Sequence, residues 1–176
     1  METVGRFCNS DDYQIESHHV PFQTGLDAKS DSELEAFIRP LARNAWLDVI
    51  NPNGVLKFEH DHYLKIWQLS EPSLSADYVL LDEAQDANPV IASVFNNQTC
   101  QKILVGDRCQ AIYGWRGAVD AMQDFDGHEF YLTQSFRFGP AIAAEANKWL
   151  TYLAAPLRIR GFDKIPSRID ALSEPR

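Results

Sequence analysis

The sequence predicts an α/β fold, in which a parallel sheet flanked by helices follows a mostly helical N-terminal region. Three observations predict it. Val79-Leu80-Leu81 and Ile103-Leu104-Val105 are apolar runs without alternation, as expected of interior strands of a parallel sheet. A third run, Glu129-Phe130-Tyr131-Leu132-Thr133-Gln134-Ser135, is rich in residues that favour strands. Each run ends in a polar or aromatic loop, with helical stretches between, so a doubly wound sheet would gather the three loops on one face. A chain of 176 residues suffices for one domain with a real core.

The elements follow in chain order. Residues 1–30 are polar and irregular, with His18-His19-Val20-Pro21 extended. Leu34, Phe37, Ile38, Leu41, Ala45 and Val49 keep helical spacing and predict a helix with that face inward, kinked or split at Pro40. Ser30-Asp31-Ser32-Glu33 reads as its capping box. Asn51-Pro52-Asn53-Gly54 is a turn. Residues 55–69 read as a helix with Leu56, Tyr63, Ile66 and Trp67 inward, ended by Pro72. Short helices are expected over 90–96 and 117–124. Gly139-Pro140 opens the last, with Ile142, Ala146, Trp149, Leu150 and Leu153 on one face.

The strand over Val79–Leu81 stops at Asp82 and Glu83, and ligands of open α/β sheets bind at such carboxyl ends. In nucleotide-hydrolysing sheets the first acid holds Mg²⁺ and the second orients or deprotonates the attacking water. A core strand running into a polar turn would look the same in isolation. The following motifs distinguish the two.

Leu81-Asp82-Glu83-Ala84-Gln85-Asp86, then Val105-Gly106-Asp107 with Gln110-Ala111-Ile112-Tyr113-Gly114-Trp115-Arg116-Gly117-Ala118, then Leu132-Thr133-Gln134-Ser135-Phe136-Arg137 stand in order. Together they resemble the Walker B motif, motif III and motif IV of UvrD/Rep-like superfamily 1 DNA helicases, nearest to the F-box DNA helicase subgroup. Gly5-Arg6-Phe7-Cys8-Asn9-Ser10 and Tyr63-Leu64-Lys65-Ile66-Trp67-Gln68-Leu69 resemble the same subgroup. The resemblance implies an incomplete RecA-like P-loop NTPase sheet. It divides the chain into a helical, insertion-like region over 1–75, a RecA-like core over 76–153 and a basic tail over 154–176 that would approach a second motor domain.

The resemblance also implies roles. Asp82 would hold Mg²⁺, Glu83 would activate water, and Gln110 would sense the terminal phosphate. Arg137 would act as an arginine finger in cis, and Phe136 stands where the family often has an adenine-stacking Tyr, keeping the ring without the hydroxyl. Trp115 would be a platform for a base of single-stranded DNA, with Tyr113 supporting that loop and Arg116 among the DNA-binding residues. A ring packed against a neighbouring helix is the alternative for Trp115.

The departure matters equally. ATP-dependent motors wrap phosphates with a Gly-x-x-x-x-Gly-Lys-Ser/Thr loop, and this sequence has none. Gly25-Leu26-Asp27-Ala28-Lys29-Ser30 has one glycine and places an acid in the would-be cradle. The expectation is therefore part of an ATP-dependent DNA helicase, with weak or absent ATP and Mg²⁺ binding and negligible hydrolysis by itself. The alternative is a non-enzymatic module that binds single-stranded DNA or engages another helicase as a decoy or regulator. The absent phosphate-loop strand would leave inner strand edges open, so a rearrangement, a second copy or a protein partner is expected to complete the sheet.

Composition narrows the classes. Twenty-five acids against sixteen Lys and Arg give a net charge of −9, which disfavours indiscriminate nucleic-acid binding. Acids dominate residues 1–36, whereas Arg137, Lys148, Arg158, Arg160, Lys164 and Arg168 make the C-terminal part basic. Cys8, Cys100 and Cys109 form no Cys-x-x-Cys pair, which argues against a zinc ribbon or disulfide framework. No apolar stretch reads as a membrane helix, and an intracellular, cytoplasmic or nuclear location is expected. His60 and His62 diverge on a helix and are not expected to share a metal, Cys109 is expected to pack, and Trp46, Trp67 and Trp149 are expected in the core.

Overall fold

A computed structural model describes residues 1–25, 27–114, 117–123 and 125–170. It divides into two compact units, Met1–Phe125 and Asp126–Arg176. The first contains α1 (Glu2–Cys8), α2 (Ala28–Val49), α3 (His60–Leu69), β1 (Tyr78–Leu81), α4 (Pro89–Asn96) and β2 (Gln101–Leu104). The second contains α5 (Pro140–Tyr152). The α/β class is as expected, with a small parallel sheet of two strands and helices.

β1 and β2 pair in parallel with Leu80 opposite Ile103 and Leu81 opposite Leu104. One face is half-buried, while Tyr78, Leu80 and Ile103 on the other are exposed. The third predicted strand is a correction. Residues 129–133 form no strand, Phe130 and Leu132 are each 87% exposed, and Gln134 makes only an isolated parallel bridge to Arg160. Strand propensity is realised only against a neighbour, because the ladder satisfies the backbone groups. Residues 117–123 are also not helical; Val119 bridges Ala87 instead.

The helices correct several inward faces. α2 runs unbroken through Pro40 and starts earlier than expected, because Asp27 is its N-cap and accepts from the Ser30 N–H at 2.8 Å. Ala42 and Val49 are buried on α2, but Phe37 and Leu41 are exposed. Trp149 on α5 is 62% exposed and Ala143 is buried instead. Periodicity marks an apolar face without specifying what covers it.

α3 shows the strongest inversion. Tyr63, Ile66 and Trp67 are exposed, whereas His62, Lys65 and Gln68 are buried. The cause is the loop over residues 10–12, whose carbonyls need donors once covered. Lys65 Nζ donates to the carbonyls of Ser10 and Asp12, and Gln68 Nε2 donates to Asp11 O at 2.9 Å. The lysine stem crosses the Phe7 ring, with Nζ 4.2 Å from its centroid. Around it Val4, Phe7, Cys8, Ile15 and Ala42 form a core cluster, with Trp46 edge-on to Phe7 at 5.5 Å.

Candidate functional site

The tips of β1 and β2 remain bonded beyond the strands. Val105 N–H donates to Leu81 O at 2.9 Å, and Ala84 N–H donates to Val105 O at 3.0 Å. Between these bonds the chain turns at Glu83, which takes a left-handed backbone with φ 51° and ψ 39°. A residue with a Cβ accepts that conformation at a cost of roughly 1–2 kcal/mol. Such local strain is concentrated at functional positions. Asp82 Oδ1 accepts from the Glu83 N–H at 2.9 Å, and both carboxylates are exposed at the strand tip. All-oxygen donors of this kind suit a hard cation such as Mg²⁺.

Gln85 lies under this turn and is 4% exposed. Its Nε2 donates to Glu83 Oε2 at 2.7 Å, and its Oε1 accepts from the Asp107 N–H at 3.0 Å. Asp107 in turn opens a short helical turn over Arg108–Gln110. Its Oδ1 accepts from the Cys109 N–H at 2.9 Å, and its Oδ2 accepts from Gln110 Nε2 at 2.7 Å. The structure thus links Glu83 and Gln110 through Gln85 and Asp107. Desolvation, followed by the Asp107 carboxylate, pushes the Cys109 thiol above its ordinary value, so it is a poor nucleophile although exposed.

The loop beyond Gln110 is tied to residues 84–87. Asp86 Oδ1 accepts from the Ile112 N–H at 3.2 Å and from the Tyr113 N–H at 3.0 Å. On the return, Val119 N–H reaches Ala87 O and Ala121 N–H reaches Ala84 O, both at 2.9 Å. Arg108 pairs with Asp120 at 3.2 Å. Trp115 and Arg116, the central residues of the expected DNA-binding loop, lie outside the described residues.

Phe136 and Arg137 belong to the second unit. Phe136 is 68% exposed and meets Phe162 edge-on at 5.3 Å. Arg137 is exposed, and its N–H donates to Ser135 Oγ at 3.2 Å. The preceding Gln134 sends Nε2 to Gly161 O at 2.9 Å, while Ser135 N–H reaches Arg160 O at 2.8 Å. These bonds fix residues 159–162 beside the motif.

Asp12, His18 and His19 bring ligand-type atoms within 4.8 Å of one another. The His19 tautomer argues against a metal there. Its Nδ1 accepts from the Glu16 N–H at 2.9 Å, so the neutral ring carries its proton on Nε2, which faces Ser10 Oγ at 2.9 Å and Asp12 at 3.1 Å. His62 repeats the device, with Nδ1 accepting from the Glu59 N–H at 2.9 Å at the start of α3. It is buried as a capping residue, while His60 is exposed beside Tyr63. A surface cavity of about 640 Å³ is lined by Lys57, Phe58, Glu59, His60, Asp61 and Tyr63. None of these is a residue predicted to act on nucleotide or DNA.

Sequence reasoning missed Gln85, Asp86 and Asp107 as organisers of the strand tips. The available signal was a polar residue, Gln85, directly after the small Ala84 and between Glu83 and Asp86. Such a residue at the end of an interior strand has to find partners.

Residues 64–128 match the UvrD/REP helicase N-terminal domain family. The chain is similar to F-box DNA helicase 1 of Gallus gallus, at 40% identity over 152 residues that cover 81% of this chain and 15% of that protein. It is similar to F-box DNA helicase protein 1 of Schizosaccharomyces pombe, at 30% identity over 177 residues covering 92% of this chain and 19% of that protein. A probable DNA helicase of Mycoplasma pneumoniae is 37% identical over 110 residues, covering 57% of this chain and 21% of its own. The chain therefore spans about a fifth or less of the length of these relatives.

Proposed function

We propose, from the premise that this chain is a partial UvrD-like superfamily 1 helicase, that it forms the Mg²⁺- and water-handling part of an ATP-dependent DNA helicase and hydrolyses ATP negligibly by itself. The observation that carries this is the strand tip. There Asp82 and Glu83 stand exposed, and Gln85 and Asp107 link Glu83 to Gln110. The parallel pairing of β1 with β2 supports a RecA-like reading of residues 76–153. On this reading Asp82 holds Mg²⁺, Glu83 orients water, Gln110 senses the terminal phosphate, and Phe136 and Arg137 serve the base and the phosphate. The DNA-binding role on this reading falls to Tyr113, Trp115 and Arg116.

The donor set fits the cation more than the phosphates. Exposed carboxylates suit Mg²⁺, but the sequence has no glycine-lysine loop to stabilise a transferring phosphoryl group. The test is ATP hydrolysis by the purified chain with Mg²⁺ and single-stranded DNA, with Glu83→Gln as control. No rate above background is expected; a clear rate abolished by Glu83→Gln overturns the proposal of inactivity.

A protein partner or second copy that completes the sheet belongs to this reading, and such a component would also cover the exposed apolar face carrying Tyr78, Leu80 and Ile103. The same face suits a regulatory module that engages another helicase. No helix among the described residues is long and apolar enough to cross a membrane. Sedimentation separates the possibilities: a well-behaved monomer at all concentrations removes the second copy.

A further inference from the structure

We infer that Gln85 is a positioning residue that couples the Glu83 carboxylate to the Gln110 side chain, an assignment that rests on the helicase reading of this site. Its two amide ends do different work. Nε2 fixes one Glu83 oxygen at 2.7 Å, and Oε1 fixes the Asp107 N–H at 3.0 Å. Rotating the amide by half a turn would set its oxygen against the Glu83 carboxylate and its NH₂ against the Asp107 N–H. Only one orientation satisfies both partners. Asp107 then carries the connection on, holding Gln110 Nε2 at 2.7 Å and, through its carbonyl, the Gln110 N–H at 2.8 Å.

The surroundings are built for this amide. Gln85 is buried, whereas Glu83, Asp107 and Gln110 are exposed, so the coupling runs through an element shielded from competing water. Gly106 makes the room: a Cβ there would lie 2.5 Å from Gln85 Oε1 and 3.1 Å from the Ala84 nitrogen. The hydrogen-bonded carboxylate of Glu83 also sits on a left-handed backbone, where the side chain would otherwise be poorly directed. A change in the direction of Glu83 is therefore felt at Gln110 without any movement of β1 or β2. In the helicase reading this ties the group that orients water to the group that senses phosphate.

The test compares four chains by NMR without nucleotide: wild type, Gln85→Met, Gln85→Glu and the exchanged pair Glu83→Gln/Gln85→Glu. Gln85→Met removes both bonds, and the Asp107 amide is expected to exchange about tenfold faster, the effect of losing one buried hydrogen bond. Gln85→Glu keeps the acceptor for Asp107 but opposes Glu83, so the Gln110 side-chain amide resonances shift while Asp107 stays protected. The exchanged pair restores a donor and an acceptor in reverse and returns the Gln110 resonances toward wild type. Unchanged Gln110 resonances in Gln85→Glu, or a shift that the exchanged pair leaves in place, overturns the coupling. If Gln85→Met does not fold, the other two variants decide the matter. Since no nucleotide is present, failure here is distinct from failure of the ATPase test.

Discussion

The Gln85 side-chain amide donates to a Glu83 carboxylate oxygen at 2.7 Å, joining a buried residue to an exposed one across a left-handed turn. The acid expected to handle water is thus held from beneath by a group that solvent does not reach.

The backbone of Glu83 gives the first prediction. Glu83→Ala and Glu83→Gly both lose the carboxylate and the Gln85 bond, and differ only in the Cβ. With φ at 51°, that Cβ is unfavourable, so Glu83→Gly is expected to be more stable than Glu83→Ala by about 1 kcal/mol. The usual order within regular structure is the reverse. Urea unfolding of the two variants checks it.

Gly106 gives the second. Although it is exposed, an added Cβ would lie 2.5 Å from Gln85 Oε1, 2.9 Å from Met122 Cε and 3.1 Å from the Ala84 nitrogen. Met122 can swing aside; the Ala84 backbone cannot. Gly106→Ala is expected to cost roughly 1–3 kcal/mol, in the range of overpacked sites. Loss of Asp107 amide protection should accompany it, as the Gln85 acceptor is displaced.

The strand tip was legible because the apolar run over Val79–Leu81 stops at two acids, a weak signal in isolation that the motifs at Val105–Ala118 and Leu132–Arg137 made specific. α4 was legible from Pro89 and a compact apolar run. The run over 129–135 misled, because strand propensity says nothing about whether a neighbour is present. α3 misled for a different reason. Its apolar face predicts inward packing, but the carbonyls of Ser10, Asp11 and Asp12 draw Lys65 and Gln68 inward. Such long-range backbone demands leave no periodic trace in the sequence. Gln85 escaped notice similarly, since only one of its partners, Glu83, is local and the other, Asp107, lies 22 residues away in the sequence.

Lys65 and Cys8 give the third prediction. Burial pulls the Lys65 ammonium down to about 8, with Cys8, Asp12 and Asp11 partly opposing, and burial pushes the Cys8 thiol up to about 12. Unfolded, the two titrate near ~10.4 and ~8.5. For Lys65 the unfolded chain binds more protons between pH 8 and about 10.4, so stability rises with pH there. For Cys8 the folded chain binds more protons from about pH 8.5 to 12, so stability falls with pH there. The two slopes oppose each other through pH 9 and 10. Cys8→Ala should expose the rise, and Lys65→Met should expose the fall. Urea midpoints at pH 8, 9 and 10 check the signs, and equal slopes in the two variants would contradict them.

The last prediction concerns the second unit, where Gly139 and Gly161 meet at the start of α5. A Cβ on Gly161 would collide with the backbone of Gly139 and with the Pro140 nitrogen. Neither neighbour is the movable end of a side chain, and Pro140 holds the first turn of the helix. Gly161→Ala must therefore push residues 159–162 away from Gly139. That movement would break the bonds from Ser135 N–H to Arg160 O and from Phe162 N–H to Phe138 O, both 2.8 Å, and separate Phe162 from Phe136. Hydrogen exchange should show lost protection at Ser135 and Phe162, with the Asp107 amide of the first unit unchanged. Retained protection at Ser135 would mean that the approach of Gly139 and Gly161 does not hold this segment in place.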